Sequence, residues 1–106
     1  MLGLTFKEDV PDLRNSKIAD LVESLSGLGH DVTMHDPFAD EAEASHKYGI
    51  NLDGKAFERS YDLVVLAVPH ADYRRKGVEF FRGLLNDGGL LADLKGTLKA
   101  KNCWTL

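Results

Sequence analysis

Hydrophobic and polar positions along this chain alternate between a strand pattern and a helical one. Leu2 to Phe6 reads as a short first strand. The next eight residues, Lys7 to Arg14, hold two cations, three carboxylates and a proline. The period then becomes helical: Ile18, Leu21, Val22, Leu25 and Leu28 share one face, Asn15 or Ser16 can cap the free amides, and Gly27 and Gly29 stop the helix. Asp31 to His35 returns to alternation, with Val32 and Met34 apolar, and Asp36-Pro37 ends it. Asp40 with Glu43 has the spacing of a capping box for a second helix, which Gly49 closes. Leu63 to Val68 is apolar throughout, as expected for a parallel strand covered on both faces. Val78, Phe81, Leu84 and Leu85 form a third helical stripe, and Asn86 to Gly89 turns into a strand over Leu90 to Leu94.

Strands alternating with helices predict right-handed crossovers and an α/β fold, a Rossmann-like three-layer αβα sandwich with a mainly parallel sheet. Ligands bind such sheets beyond the carboxyl ends of the strands. The stretch Lys7 to Arg14 falls there, as do Asp36, His70 and Lys95, each just after a strand. Met1 directly precedes Leu2-Gly3-Leu4, leaving the first strand little room to begin, so the chain is expected to be a piece of a longer one.

Composition narrows the class. The 106 residues suit a single domain over 1–106, large enough for a core of its own. A single cysteine, Cys103, excludes an internal disulfide and suits a reducing, cytoplasmic setting. No apolar run approaches a membrane span. The net charge of −4 argues against nucleic-acid binding, which needs a basic face, but leaves room for a small anion held by a few placed cations.

Common α/β chemistries fail on spacing. A dinucleotide site needs G-x-G-x-x-G after the first strand, whereas the loop from Thr5 to Arg14 has no glycine and Gly27-Leu28-Gly29 lies at a helix end. A phospho-acceptor domain needs an aspartate ending the central strand, where this chain has Ala67-Val68-Pro69-His70. No P-loop, metal cluster or catalytic triad has the right spacing. Cys103 reads as a packing residue in a terminal tail.

The stretch Gly3-Leu4-Thr5-Phe6-Lys7-Glu8-Asp9-Val10-Pro11-Asp12-Leu13-Arg14-Asn15-Ser16 closely resembles the G-x-x-F-K-x-x-x-x-D-x-R-x-S motif that opens the C-terminal domain of the UDP-glucose/GDP-mannose dehydrogenase family. "HDPFAD" at His35 to Asp40, "LVVLAVPHADY" at Leu63 to Tyr73 and "DLKGTL" at Asp93 to Leu98 also have counterparts there. The "AVPH" and "DLKG" versions most resemble the branch that oxidises UDP-N-acetylhexosamines for surface polysaccharides. The resemblance implies a UDP-sugar-binding domain, the C-terminal part of a dehydrogenase with an N-terminal NAD domain and a central dimerising domain. That enzyme would be a homo-oligomer and would oxidise a C6 alcohol to a carboxylate with two NAD+, through a thiohemiacetal on an upstream cysteine. This chain would be inert alone, and Cys103 is not that cysteine.

Residue by residue, the resemblance places Phe6 and Lys7 at the substrate, Lys7 near the nucleotide-sugar, with Phe6 also in the core and acting through its backbone. A flexible ammonium at a strand end suits a pyrophosphate or sugar oxygen. Arg14 matches an arginine that reaches the NAD held by the N-terminal domain, where a guanidinium gives paired contacts. Lys95 stands where the family places a substrate-contacting basic residue, although some members have two arginines there and this chain has Lys95-Gly96. Asp12 is expected to fix the loop or orient Arg14, and Asp36 to form an Asp-Pro turn rather than hold a ribose. His70 is left open between ligand contact and the start of the next loop. Tyr73, Arg74, Arg75 and Lys76 read as a solvated basic face. The alternative is a non-catalytic anion- or nucleotide-binding α/β module using the same strand-end crevice.

Overall fold

The computed structural model describes residues 1–14, 16–98 and 103–105. Its helices are α1 (Lys17–Gly27), α2 (Glu41–Tyr48), α3 (Ala71–Lys76) and α4 (Val78–Arg82), with a 3₁₀ turn at Ala56–Glu58. The regular ladder pairs β1 (Tyr61–Leu66) with β2 (Leu85–Asp93) in parallel, bringing Leu63 opposite Leu90 and Leu66 opposite Asp93.

Single parallel bridges extend that ladder on both sides. Leu2 bridges both Leu66 and His35, Met34 bridges Leu52, and Ala92 bridges Trp104. Across the sheet the order is therefore Leu52, Met34–His35, Leu2, β1, β2, Trp104: third segment, second, first, fourth, fifth, sixth. This is the doubly wound Rossmann order, and its direction reverses between the Leu2 segment and β1. Short backbone bonds hold that junction, from Leu2 N to Val65 O at 2.8 Å and from Ala67 N to Leu2 O at 2.9 Å.

Side chains in β1 alternate between two layers. Val64 and Leu66 point with Leu2 and Leu91 into a core closed by Tyr73 and Phe81 from α3 and α4. Val65 and, just past the strand, Ala67 point the other way with Ala92, against Ile18 of α1. Beyond them Leu4, Leu13, Ala19, Val22, Met34, Ala44 and Ile50 join α1 and α2. The expected three-layer arrangement is present.

The helix caps follow the sequence. Ser16 Oγ accepts the Ala19 amide at 3.2 Å and donates to Leu4 O at 2.7 Å, fastening α1 to the end of the first segment. Asp40 accepts the Glu43 amide at 2.8 Å, and Gly49 ends α2 in the left-handed region. Asn15, the other candidate cap, lies outside the described residues.

Several elements depart from the sequence pattern. The helix expected through Leu85 ends at Arg82, because β2 begins at Leu85 and Tyr61 N bonds Leu84 O at 2.8 Å. Tyr73 is not on a solvated face: it is fully buried in α3, a helix the pattern does not show, whereas Arg74, Arg75 and Lys76 are exposed. Phe6 is not core either, being 52% exposed. Among the described residues no helix is long and apolar enough to cross a membrane.

Candidate functional site

The first segment, the Met34–His35 segment and β1 all deliver their following residues to one edge of the sheet. Three polar side chains meet there although they are far apart in sequence: Thr5, Asp36 and His70, all buried. Asp36 Oδ2 accepts the amides of Leu4 at 2.7 Å and Thr5 at 3.1 Å, and its Oδ1 accepts those of Phe38 at 2.8 Å and Ala39 at 3.3 Å. His70 Nε2 lies 3.0 Å from Oδ2. Burial pushes the Asp36 carboxyl up, but the hydrogen bonds from His70, Leu4 and Phe38 outweigh it and leave its pKa below the ordinary value. A carboxylate this fully engaged is not free to hold a ribose. It forms the expected Asp-Pro turn and also joins two segment ends.

The loop from Thr5 to Leu13 lies over this cluster. Thr5 Oγ1 donates to Lys7 O at 2.7 Å, and the Asp9 amide donates to His70 Nδ1 at 2.8 Å. Asp9 has a positive φ of 63°, a conformation that aspartate tolerates better than most residues. This lets its side chain turn back, so that Oδ1 accepts the Ala71 amide at 2.6 Å and Oδ2 faces Arg74 at 3.4 Å. The loop closes on itself where Phe6 N donates to Asp12 O at 2.6 Å. Tyr48 of α2 fastens its far end, its hydroxyl donating to Leu13 O and accepting the Ser16 amide.

Lys7 projects from this loop. It is exposed, and among the described residues its ammonium has no hydrogen-bond or ion-pair partner. Glu8 reaches Lys95 at 3.5 Å, so the end of β2 and the loop meet through that pair. Lys7 and Lys95, at opposite ends of the chain, are thereby brought to the same loop. Phe6, next to Lys7 in the loop, presents half its surface, and its amide N–H is already bonded to Asp12 O. Arg14 turns to its own loop, its guanidinium pairing with both carboxylate oxygens of Asp12, with Nη2 to Oδ2 at 2.9 Å. Those bonds hold the Asp12 carboxyl down at about 2. The guanidinium remains 79% exposed and available to a further anion.

A family model described as "UDP-glucose/GDP-mannose dehydrogenase family, UDP binding domain" matches residues 1–100. The chain belongs to this family. It is 40% identical over 95 residues to a UDP-N-acetyl-D-glucosamine 6-dehydrogenase of Pseudomonas aeruginosa, covering 90% of this chain and 22% of that protein. It is 39% identical over 100 residues to the protein CapL of Staphylococcus aureus, covering 94% and 23%. A UDP-N-acetyl-D-glucosamine 6-dehydrogenase of Salmonella typhi is 38% identical over 101 residues, covering 95% and 24%. The chain therefore spans under a quarter of the length of these curated relatives. The matched stretch includes the loop from Thr5 to Arg14, and the cluster beneath that loop explains its shape.

Dinucleotide binding within this domain is a different matter. The crevice where the sheet order reverses is covered by a glycine-free loop, the Ala19 amide in the first turn of α1 is taken by Ser16, and the Ser16 amide by Tyr48. Without a glycine turn to let a pyrophosphate approach the helix, the described residues do not fit NAD as a ligand of this domain alone. Cys103 is equally unsuited to nucleophilic work: burial, and then the nearby Asp93 charge, push its thiol up rather than toward a thiolate. Sequence reasoning left His70 open and did not connect it to Asp9. The available signal was the placement of Asp36 and His70 directly after the two segments that flank the first one in the sheet.

Proposed function

We propose that this chain binds the uridine diphosphate part of a nucleotide sugar, as the C-terminal domain of an NAD-dependent 6-dehydrogenase acting on a UDP-N-acetylhexosamine. In this reading the parent enzyme is a cytoplasmic homo-oligomer that carries the NAD and central domains elsewhere in its chain. Lys7 and Lys95 meet the diphosphate or sugar oxygens, and Phe6 lies against the ligand. Arg14 faces NAD held by another domain. The domain's share of the reaction is to hold the substrate so that its C6 hydroxyl meets reactive groups outside this chain, and positioning of this kind supplies several kcal/mol of barrier reduction.

The observation that carries the reading is Lys7. Its ammonium is exposed and, among the described residues, unpaired, on a loop that is otherwise tied down at both ends and in the middle. A cation held out on an ordered loop at the carboxyl edge of a parallel sheet suits a diphosphate. Calorimetry of the 106-residue chain with UDP, UDP-N-acetylglucosamine and GDP tests it. Both uridine ligands are expected to give heat, GDP less, and Lys7→Ala to weaken UDP by about tenfold. A folded protein with no UDP-dependent heat, or an unchanged Lys7→Ala, would overturn the reading.

A further inference from the structure

The hydrogen bonds around His70 leave only one consistent assignment of protons. The Asp9 backbone amide can only donate, so His70 Nδ1 at 2.8 Å accepts and carries no proton. Nε2 therefore carries it, directed at Asp36 Oδ2 at 3.0 Å. The one hydroxyl proton of Thr5 goes to Lys7 O, which cannot donate. Thr5 Oγ1, 3.3 Å from Nε2, thus accepts a share of the same imidazole N–H. The ring is wholly buried, with Phe38 at 4.7 Å and Tyr73 at 5.5 Å between centroids, so it has no freedom to turn over.

Every bond in this set runs toward the Lys7 loop. Asp36 fixes the ring's tautomer, the ring offers its Nδ1 lone pair to Asp9, and Thr5 holds the carbonyl of Lys7. Lys7 is thus bracketed by an anchored carbonyl of its own and an anchored amide two residues later. The Asp9 carboxylate adds the Ala71 amide and Arg74 to the same clamp.

The geometry points to His70 as a positioning residue for the Lys7 loop: as the Nε2–H tautomer, it aims the Lys7 ammonium through the Asp9 amide. This rests on the UDP-binding reading for its consequence, though not for its geometry. It needs no contact between His70 and ligand, and the ring's full burial gives none.

Two substitutions separate this role from general packing. Asn at position 70 can place a carbonyl oxygen near Nδ1 and keep an acceptor for Asp9, while losing the reach to Asp36. Gln can place a donor near Nε2 for Asp36, while losing the acceptor for Asp9. Both are expected to lower stability. For UDP affinity in the whole chain, His70→Gln is expected to lose about tenfold and His70→Asn to stay within about threefold of the unaltered protein. Nitrogen-detected NMR of the unaltered protein should show Nδ1 unprotonated and Nε2 protonated, and hydrogen exchange should show the Asp9 amide protected, with protection lost in His70→Gln and kept in His70→Asn.

A protonated Nδ1, an unprotected Asp9 amide, or equal affinity losses in the two variants would overturn the inference. If the unaltered protein binds no UDP, the functional reading falls. The clamp is then decided by the nitrogen spectra and the Asp9 exchange pattern alone.

Discussion

Replacing Asp36 with Asn removes one charge and one acceptor from the point where two segments of the sheet end. The native carboxylate accepts from Leu4, Thr5 and His70 through Oδ2 and from Phe38 and Ala39 through Oδ1. An amide in its place has a single acceptor atom. Its better orientation keeps the oxygen toward Leu4, Thr5 and His70 and turns the NH₂ against the Phe38 and Ala39 amides. A buried donor left without a partner costs about 1–3 kcal/mol, and the bonds that remain lose their charge assistance. Phe38 and Ala39 are half-buried and the Ala39 bond is long at 3.3 Å, so Asp36→Asn is expected to destabilise the fold by about 3 kcal/mol. Against a typical domain stability of about 5–15 kcal/mol, that is a large displacement of a urea unfolding curve. The same variant tests the electrostatics. A carboxyl whose pKa is lowered on folding contributes stability above its unfolded pKa, near 3.9, which is lost as pH falls through the folded value. The unaltered protein should therefore lose stability in acid more steeply than Asp36→Asn. A stability loss under about 1 kcal/mol at neutral pH, or acid limbs of equal slope, would refute the account of this cluster.

Two further outcomes are expected. Gly3 has a φ of +100°, and a Cβ there would lie 2.5 Å from Val68 Cβ and 2.7 Å from Val68 N. Gly3→Ala therefore combines backbone strain with overpacking and should cost about 3 kcal/mol or more in urea unfolding; a near-neutral change would contradict the close approach of the first segment to Val68, just past β1. Arg14→Ala breaks only an exposed pair with Asp12, so it should leave the thermal midpoint unchanged; a large fall would mean that Arg14 supports the loop structurally.

Much of the fold was legible because its signals are local. Ser16 and Asp40 cap the helices where the pattern puts them, and the apolar run Leu63 to Val68 overlaps the central strand. The opening motif marks the loop at the strand end by residue type alone. Other features carry no local signal. The outer segments at Leu52 and Trp104 join the sheet by one bridge each, too little for a periodic pattern. The stretch Tyr73-Arg74-Arg75-Lys76 looks solvated because three of its four residues are charged. Tyr73 is buried because its hydroxyl donates to His35 O at 2.9 Å and its ring meets Phe81. Phe6 looks like core by composition, yet the loop's closure on Asp12 turns it outward.

By itself, then, the sequence determined the alternation of helices and strands, the caps of α1 and α2, and the chemistry gathered at the first strand's end. Those follow from interactions over three or four residues and from residue identity. Only the tertiary structure decided what Asp36, His70 and Asp9 do, since the bonds that define them join residues dozens of positions apart. A buried carboxylate and a buried imidazole have their proton positions set by neighbours that the chain order does not reveal. That placement holds the Lys7 loop in its observed shape.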